Sequence, residues 1–226
     1  MTFDLVTGTL RDLNRTIHAL PPTNAGVVEV ANVQGQHAVA CGADTDAEIH
    51  LHGSVGYYCA GMNKNAAITV HGSAGPGVAE NMMSGRVVIE GDASQYAGAT
   101  AHGGLLVIKG NASSRCGISM KGVEIVVRGN IGHMSAFMAQ SGTLVVCGDA
   151  GEAMGDSIYE AEIFVRGQVA SLGADCEEKE MRAEDLDRLA TLLAQADITD
   201  LTPNDFRRYG SARQLYHFNI DNAGAY

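Results

Sequence analysis

Seven glycines, Gly53, Gly72, Gly91, Gly110, Gly129, Gly148 and Gly167, open segments reading GSVG, GSAG, GDAS, GNAS, GNIG, GDAG and GQVA. Glycine-rich loops can cradle a phosphate, because bare backbone lets successive N–H groups face an anion. That chemistry also needs a strand–glycine–helix unit and, in a P-loop, a following Lys and Ser or Thr. Neither pattern occurs, and GSAGPG, with Gly72, Gly75 and Gly77, resembles a nucleotide loop only superficially. His52 and His71 are the next candidates, since stacked strands would bring them near enough to share a metal. Zinc takes three or four converging ligands, and this pair supplies two. Cys41, Cys59, Cys116, Cys147 and Cys176 form no C-x-x-C pair, and no G-x-S-x-G nucleophile turn is present. An odd, scattered set of cysteines suits reduced thiols better than a disulfide frame or an iron–sulfur site. No catalytic, cofactor-binding or metal-binding residue is therefore assigned, and no cofactor is expected in this chain.

What those glycines do instead is set by their spacing, which is 19 residues in every case, without insertion or deletion. Numbered from each glycine, position 2 is Ser, Asp, Asn or Gln, types that support turns through side-chain-to-backbone hydrogen bonds. Position 8 is only Ala or Gly (Ala60, Ala79, Gly98, Gly117, Ala136, Gly155). Position 16 reads Ile68, Val87, Leu106, Ile125, Leu144, Ile163, and position 18 reads Val70, Ile89, Ile108, Val127, Val146, Val165. These two columns put β-branched residues on one face of a recurring strand. A strand that returns at a fixed interval between glycine corners describes a coil whose turns stack about 4.8 Å apart as a parallel ladder. A six-residue hexapeptide step does not divide 19, so the expectation is an all-β fold, a single-stranded right-handed parallel β-helix with short helical appendages. Ile49 and Leu51 extend the columns one coil earlier, where Gln34 stands in place of the glycine.

The chain then divides into an N-terminal helix and capping segment (1–33), the β-helix (34–176) and a C-terminal helix with a docking tail (177–226). In the first, Leu10, Leu13, Ile17 and Leu20 recur at helical spacing before Pro21 and Pro22. In the last, Leu186, Leu189, Leu193 and Ala196 form one stripe, and both helices are expected to cap the solenoid. Fifteen basic against 26 acidic residues give a formal charge of −11, which opposes a nucleic-acid or anionic-membrane surface. The N-terminus lacks the layout of a secretory signal and no apolar run is long enough to span a bilayer, so a soluble cytoplasmic protein is expected.

Function is expected on the outside of the ladder. Position 17 points outward yet reads Val88, Val107, Val126, Val145 and Phe164. Such a stripe must be covered, either by the chain's own terminal helix or by another subunit. It also lacks the charged cluster of a β-helical polysaccharide enzyme. Two coils bring adaptable contact residues outside the core columns: Glu80 and Asn81 in PGVAENMM, and Met134 and Phe137 in GHMSAFMAQ. Tyr209 in the aromatic-rich tail completes the candidate partner contacts. Met82 and Met120, both at position 11, read as core.

The units GSAGPGVAENMMSGRVVIE, GDASQYAGATAHGGLLVIK and GNASSRCGISMKGVEIVVR resemble the coils of the GXGXG domain. That domain is the β-helix that ends the large subunit of glutamate synthase, and it also forms a stand-alone subunit of formylmethanofuran dehydrogenase. The likeness covers roughly residues 34–176. DFRRYGSARQLYHF is similar to the segment after that β-helix, with Tyr209-Gly210-Ser211 matching its Tyr-Thr-Gly-Ser without the threonine. Along its whole length, including GSVGYYCAGMN and FNIDNAGAY, the chain most resembles the GXGXG subunits of N-methylglutamate synthases. This resemblance implies a non-catalytic scaffold working with an amidotransferase-like subunit and a glutamate synthase-like subunit. The latter would carry FMN and an iron–sulfur cluster, and the complex would convert methylamine and glutamate to N-methylglutamate and ammonia. The alternative role, the GXGXG subunit of a formylmethanofuran dehydrogenase or formyltransferase/hydrolase complex, fits less well, because that polypeptide more nearly ends with its β-helix.

Overall fold

The computed structural model describes residues 1–214; the tail beyond, including FNIDNAGAY, lies outside the described residues. Eleven strands form one sheet: β1 (Thr2–Asp4), β2 (Val27–Ala31), β3 (Glu48–His52), β4 (Ala67–His71), β5 (Arg86–Ile89), β6 (Leu105–Ile108), β7 (Lys121–Val127), β8 (Ser141–Val146), β9 (Glu162–Val165), β10 (Cys176–Lys179) and β11 (Arg207–Ser211). Their spatial order is β1 through β9, then β11, then β10. Every pairing from β1 to β9 is parallel, and only β11 runs antiparallel to its neighbours β9 and β10. The fold is an all-β parallel β-helix with two α-helices, α1 (Leu10–His18) and α2 (Ala183–Gln195), among the described residues.

Register follows the 19-residue columns. Ile68 pairs with Val87, Val87 with Leu106, Leu106 with Ile125 and Ile125 with Leu144, so position 16 stacks upon itself inside the coil. Positions 16 and 18 are buried throughout, and Met82 and Met120 fill the same interior. A second, one-residue ladder runs along position 3, from Val55 through Ala74, Ala93, Ala112, Ile131 and Ala150 to Val169.

The opening glycines are required by contact between coils. A Cβ on Gly110 would lie 2.7 Å from Gly91 O and 2.4 Å from Asp92 Oδ1, and the stacked backbones leave it no room. Position 2 works between coils too. Asp92 Oδ1 accepts from Asn111 N at 2.7 Å, Asn111 Oδ1 from Asn130 N at 2.9 Å and Asn130 Oδ1 from Asp149 N at 2.7 Å. Each side chain therefore caps a backbone donor of the next coil.

Position 8 is left-handed, with φ +66° at Gly98 and +57° at Ala136, and it is small because it points into the filled core, where a Cβ on Gly98 would lie 2.6 Å from Ile125 Cδ1. Positions 6 and 10 share this conformation in residues as large as Tyr58, Met62, Arg115 and Met138. A left-handed L-residue costs about 1–2 kcal/mol. Stacking offsets it, since Tyr58 N donates to Pro76 O at 2.9 Å and Met62 N to Glu80 O at 2.8 Å.

The ladder starts earlier than residue 34. Val28 pairs with Ile49 and Val30 with Leu51, so β2 occupies the core columns, and β1 pairs with β2 in turn. Val28 precedes Ile49 by 21 residues, which hides this strand from a 19-residue period. Between these strands in the chain, α1 packs against the first coil. Thr9 Oγ1 accepts from Asp12 N to start the helix, and Leu13 and Ile17 are buried against the core. Asn14 Nδ2 donates to Ala38 O at 2.9 Å and its Oδ1 accepts from Ala40 N at 3.0 Å, replacing the missing preceding coil.

Candidate interaction surfaces

α2 does not cap the solenoid; it lies across the outer face of the sheet. Leu189, Leu192, Leu193 and Ala196, followed by Ile198 and Phe206, bury Val88, Leu105, Val107, Val126, Val145 and Phe164 in a second apolar cluster. The position-17 stripe is thus covered by its own chain, and Val88, Val107, Val126, Val145 and Phe164 are corrected from partner contacts to interior residues. Their column explains where the helix stops: its earlier members are Glu29, His50 and Thr69, which are polar. Of the helical stripe read from sequence, Leu186 is only half-buried and Leu192 takes its place.

Charges lock both ends of α2. Lys109 Nζ donates to Ala196 O at 2.6 Å, at the negative end of the helix dipole, and Arg128 pairs with Asp200 at 2.7 Å. At the other end Arg182, Arg188 and Arg208 converge on Glu162, with Arg182 at 2.9 Å and Arg208 at 2.6 Å. Asp185, fully enclosed, accepts from Arg182, which holds its carboxyl below the usual range. Glu124 lies under the same helix, where burial pushes its carboxyl up against the opposing pull of Thr143 and Arg188.

Tyr209 is also corrected. β11 turns back beside β9, and the Tyr209 ring packs into the main core, 2% exposed. Burial raises its hydroxyl pKa. The tail expected to dock thus begins, in its described part, as a strand of the sheet.

The histidine pair becomes a group of three. His71 stacks on His52 with ring centres 4.9 Å apart and on His50 at 5.3 Å, and His50 Nδ1 lies 3.1 Å from His71 Nε2. His50 Nε2 contacts Glu48 at 3.0 Å and His52 Nε2 contacts Glu29 at 2.6 Å, which lowers the Glu29 carboxyl pKa. Alternation puts His50 on the same outward face as His52, two residues on, and that is the signal that could have found it. Among the described residues, no three His, Cys, Asp or Glu side chains form a group that could hold a metal. All five cysteines are free thiols whose pKa burial raises, to about 11 at Cys41 and Cys147 and about 12 at Cys116 and Cys176. None is activated as a nucleophile.

Met1, Val6, Val27 and Leu172 are exposed near the two ends of the ladder, and four more exposed apolar side chains lie on the loops between its strands. Tyr57, Met62, Met83 and Met138 are 40–50% exposed there. Met134 and Phe137 are half-buried beside them. Glu80 is partly desolvated, which raises its carboxyl pKa. Asn81 is engaged within the ladder, donating to Tyr58 Oη at 3.2 Å and accepting from Thr100 Oγ1 at 2.7 Å. Tyr57 and Met62 are exposed although the sequence of their coil, GSVGYYCAGMN, marked neither as a contact residue.

Fold and surface together define a parallel β-helix protein whose sheet is covered over its later coils by its own helix α2. No protein-family model matches the chain. Over 224 residues it is 69% identical to Protein GlxC of Rhizobium meliloti (strain 1021), spanning 99% of this chain and 98% of that protein. The chain belongs to the GlxC family. No helix among the described residues is long and apolar enough to cross a membrane.

Proposed function

We propose that this chain is a non-catalytic scaffold subunit of a glutamate synthase-like complex, N-methylglutamate synthase. Its partners would be an amidotransferase-like subunit and a glutamate synthase-like subunit with FMN and an iron–sulfur cluster, and the complex would work in the cytoplasm. The supporting observation is that Tyr57, Met62, Met83 and Met138 stand 40–50% exposed on loops of a backbone tied together coil by coil. Methionine and aromatic side chains make adaptable contacts, and a stacked ladder holds them at fixed distances. The resemblance of the coils and of RRYGSAR to the glutamate synthase β-helix supports the choice of complex.

Affinity capture of the chain from its native host, with partners identified by mass and flavin absorbance, tests this reading. A flavoprotein and an amidotransferase-like chain should be recovered together. Recovery of a molybdenum or tungsten enzyme would overturn it. Met62→Glu and Met138→Glu should each weaken capture by about tenfold or more, as for hot-spot residues.

A further inference from the structure

Gly210 is a glycine that its own backbone does not require. It sits inside β11 in regular register with Glu177 of β10, and its φ lies outside the left-handed region. A Cβ built there would meet nothing closer than Lys179 Cγ at 3.8 Å and Ala161 O at 3.9 Å. Gly110 or Gly129, by comparison, has stacked backbone within 2.7 Å. Glycine inside a strand weakens it, and marks a bulge, a bend, or a place where a ligand or another backbone comes close. Pairing with β10 shows no bulge, and no backbone approaches closer than Ala161 O.

Above Gly210 the described residues form an open cleft of about 350 Å³. Its walls are charged with both signs: Lys179, Arg208 and Arg213 against Glu160 and Glu162. The charge of Glu162 is already answered by three arginines. Glu160 pairs with Arg213 at 2.7 Å, but both side chains are more than half exposed. Such pairs are worth about 0–1 kcal/mol, so exchanging partners costs little. Lys179 likewise holds an exposed Glu177 at 2.5 Å. With Glu162 and Arg208 answering each other, a simple anion would face the Glu160 carboxylate, and a simple cation would face Lys179 and Arg213. A small molecule carrying both charges a few bonds apart meets neither penalty.

We propose that the cleft over Gly210 binds a free α-amino acid as its zwitterion. Lys179 and Arg213 take the carboxylate, Glu160 takes the ammonium, and the missing side chain at Gly210 makes room for the ligand's α-carbon, while Arg208 stays on Glu162. The site belongs to this chain alone and does not depend on the scaffold role.

The test is titration of the full-length isotope-labelled protein with L-alanine, followed by amide NMR shifts, with acetate and ethylammonium as single-charge probes. Saturable shifts at Gly210 and Lys179 are expected with L-alanine. Gly210→Val, which places bulk in the cleft with a residue that favours strands, should weaken binding by about tenfold or more at an unchanged thermal midpoint. Lys179→Gln, at a more exposed position, should weaken it likewise and serves if the valine variant fails to fold. Absence of saturable shifts, or equal binding by parent and both variants, would overturn the site. Acetate or ethylammonium binding as tightly as L-alanine would overturn the zwitterion.

Discussion

Asn111 shows how much one side chain carries in this fold. Its Oδ1 accepts from Asn130 N, while its own N and Nδ2 both donate to Asp92 Oδ1. Asn111→Ala keeps the backbone bond to Asp92 but leaves Asn130 N to water at an exposed corner, and should cost about 1–2 kcal/mol, measured by chemical denaturation. Asn111→Asp keeps the acceptor but sets a second carboxylate against Asp92, and should recover stability only as pH falls below the carboxylate range. Glu124 makes a pH-dependent prediction. Burial raises its folded-state pKa above the unfolded value, so its contribution to stability is complete below the unfolded pKa and is lost as pH rises through the folded one. Glu124→Gln should therefore gain in thermal midpoint over the parent as pH rises from about 4, near the unfolded glutamate pKa, towards neutrality. A difference that stays constant over that range would show that burial is not the cause. At this scale positions 2, 8, 16 and 18 were legible, because each repeats one chemical demand. The left-handed backbone at positions 6 and 10 was not, since Tyr58, Arg115 and Met138 are held there by bonds to other coils, which their types do not announce.

Among the elements, α2 was visible in sequence and its resting place was not. Its apolar stripe could have met the end of the solenoid, a partner, or the column from Val88 to Phe164. It meets the last, burying Val107, Val126, Val145 and Phe164 completely, and charged residues at both helix ends fix the seat. Leu193→Asp should undock α2 while the sheet, which has its own separate core, persists. Dye binding to the uncovered stripe should rise, with strand circular dichroism retained. Loss of the strand signal instead would make helix and ladder one cooperative unit. Leu193→Ala should cost about 2–5 kcal/mol without undocking. β11 escaped sequence reading because RRYGS shares neither the period nor the opening glycine of the coils, and only its antiparallel return buries Tyr209.

For the molecule as a whole, stability should propagate from neighbour to neighbour, as in other stacked repeats. Replacing Leu13 and Ile17 together by alanine loosens α1 from the first coil. Amide exchange, followed by mass spectrometry, should then accelerate most in β2 and β3 and least in β7 to β9. Uniform acceleration along the ladder would rule out this local coupling. The same stacking gives the protein two different long surfaces. The sheet face is closed by α2 over its later coils, and the loops between the strands carry the exposed Tyr57, Met62, Met83 and Met138. Partner contacts are therefore sought on these loops, where Met134 and Phe137 lie.

By itself the sequence determined the coil, because a 19-residue period in glycines and β-branched residues admits one stacked ladder and specifies its core columns. The same period said nothing about segments that occur once. Whether α2 or another subunit covers Val107, whether Tyr209 faces out or in, and that three histidines meet beside two glutamates, only the tertiary structure decided. Those outcomes depend on contacts between residues far apart in the chain, where burial and charge pairing choose among surfaces that look equally apolar in one dimension.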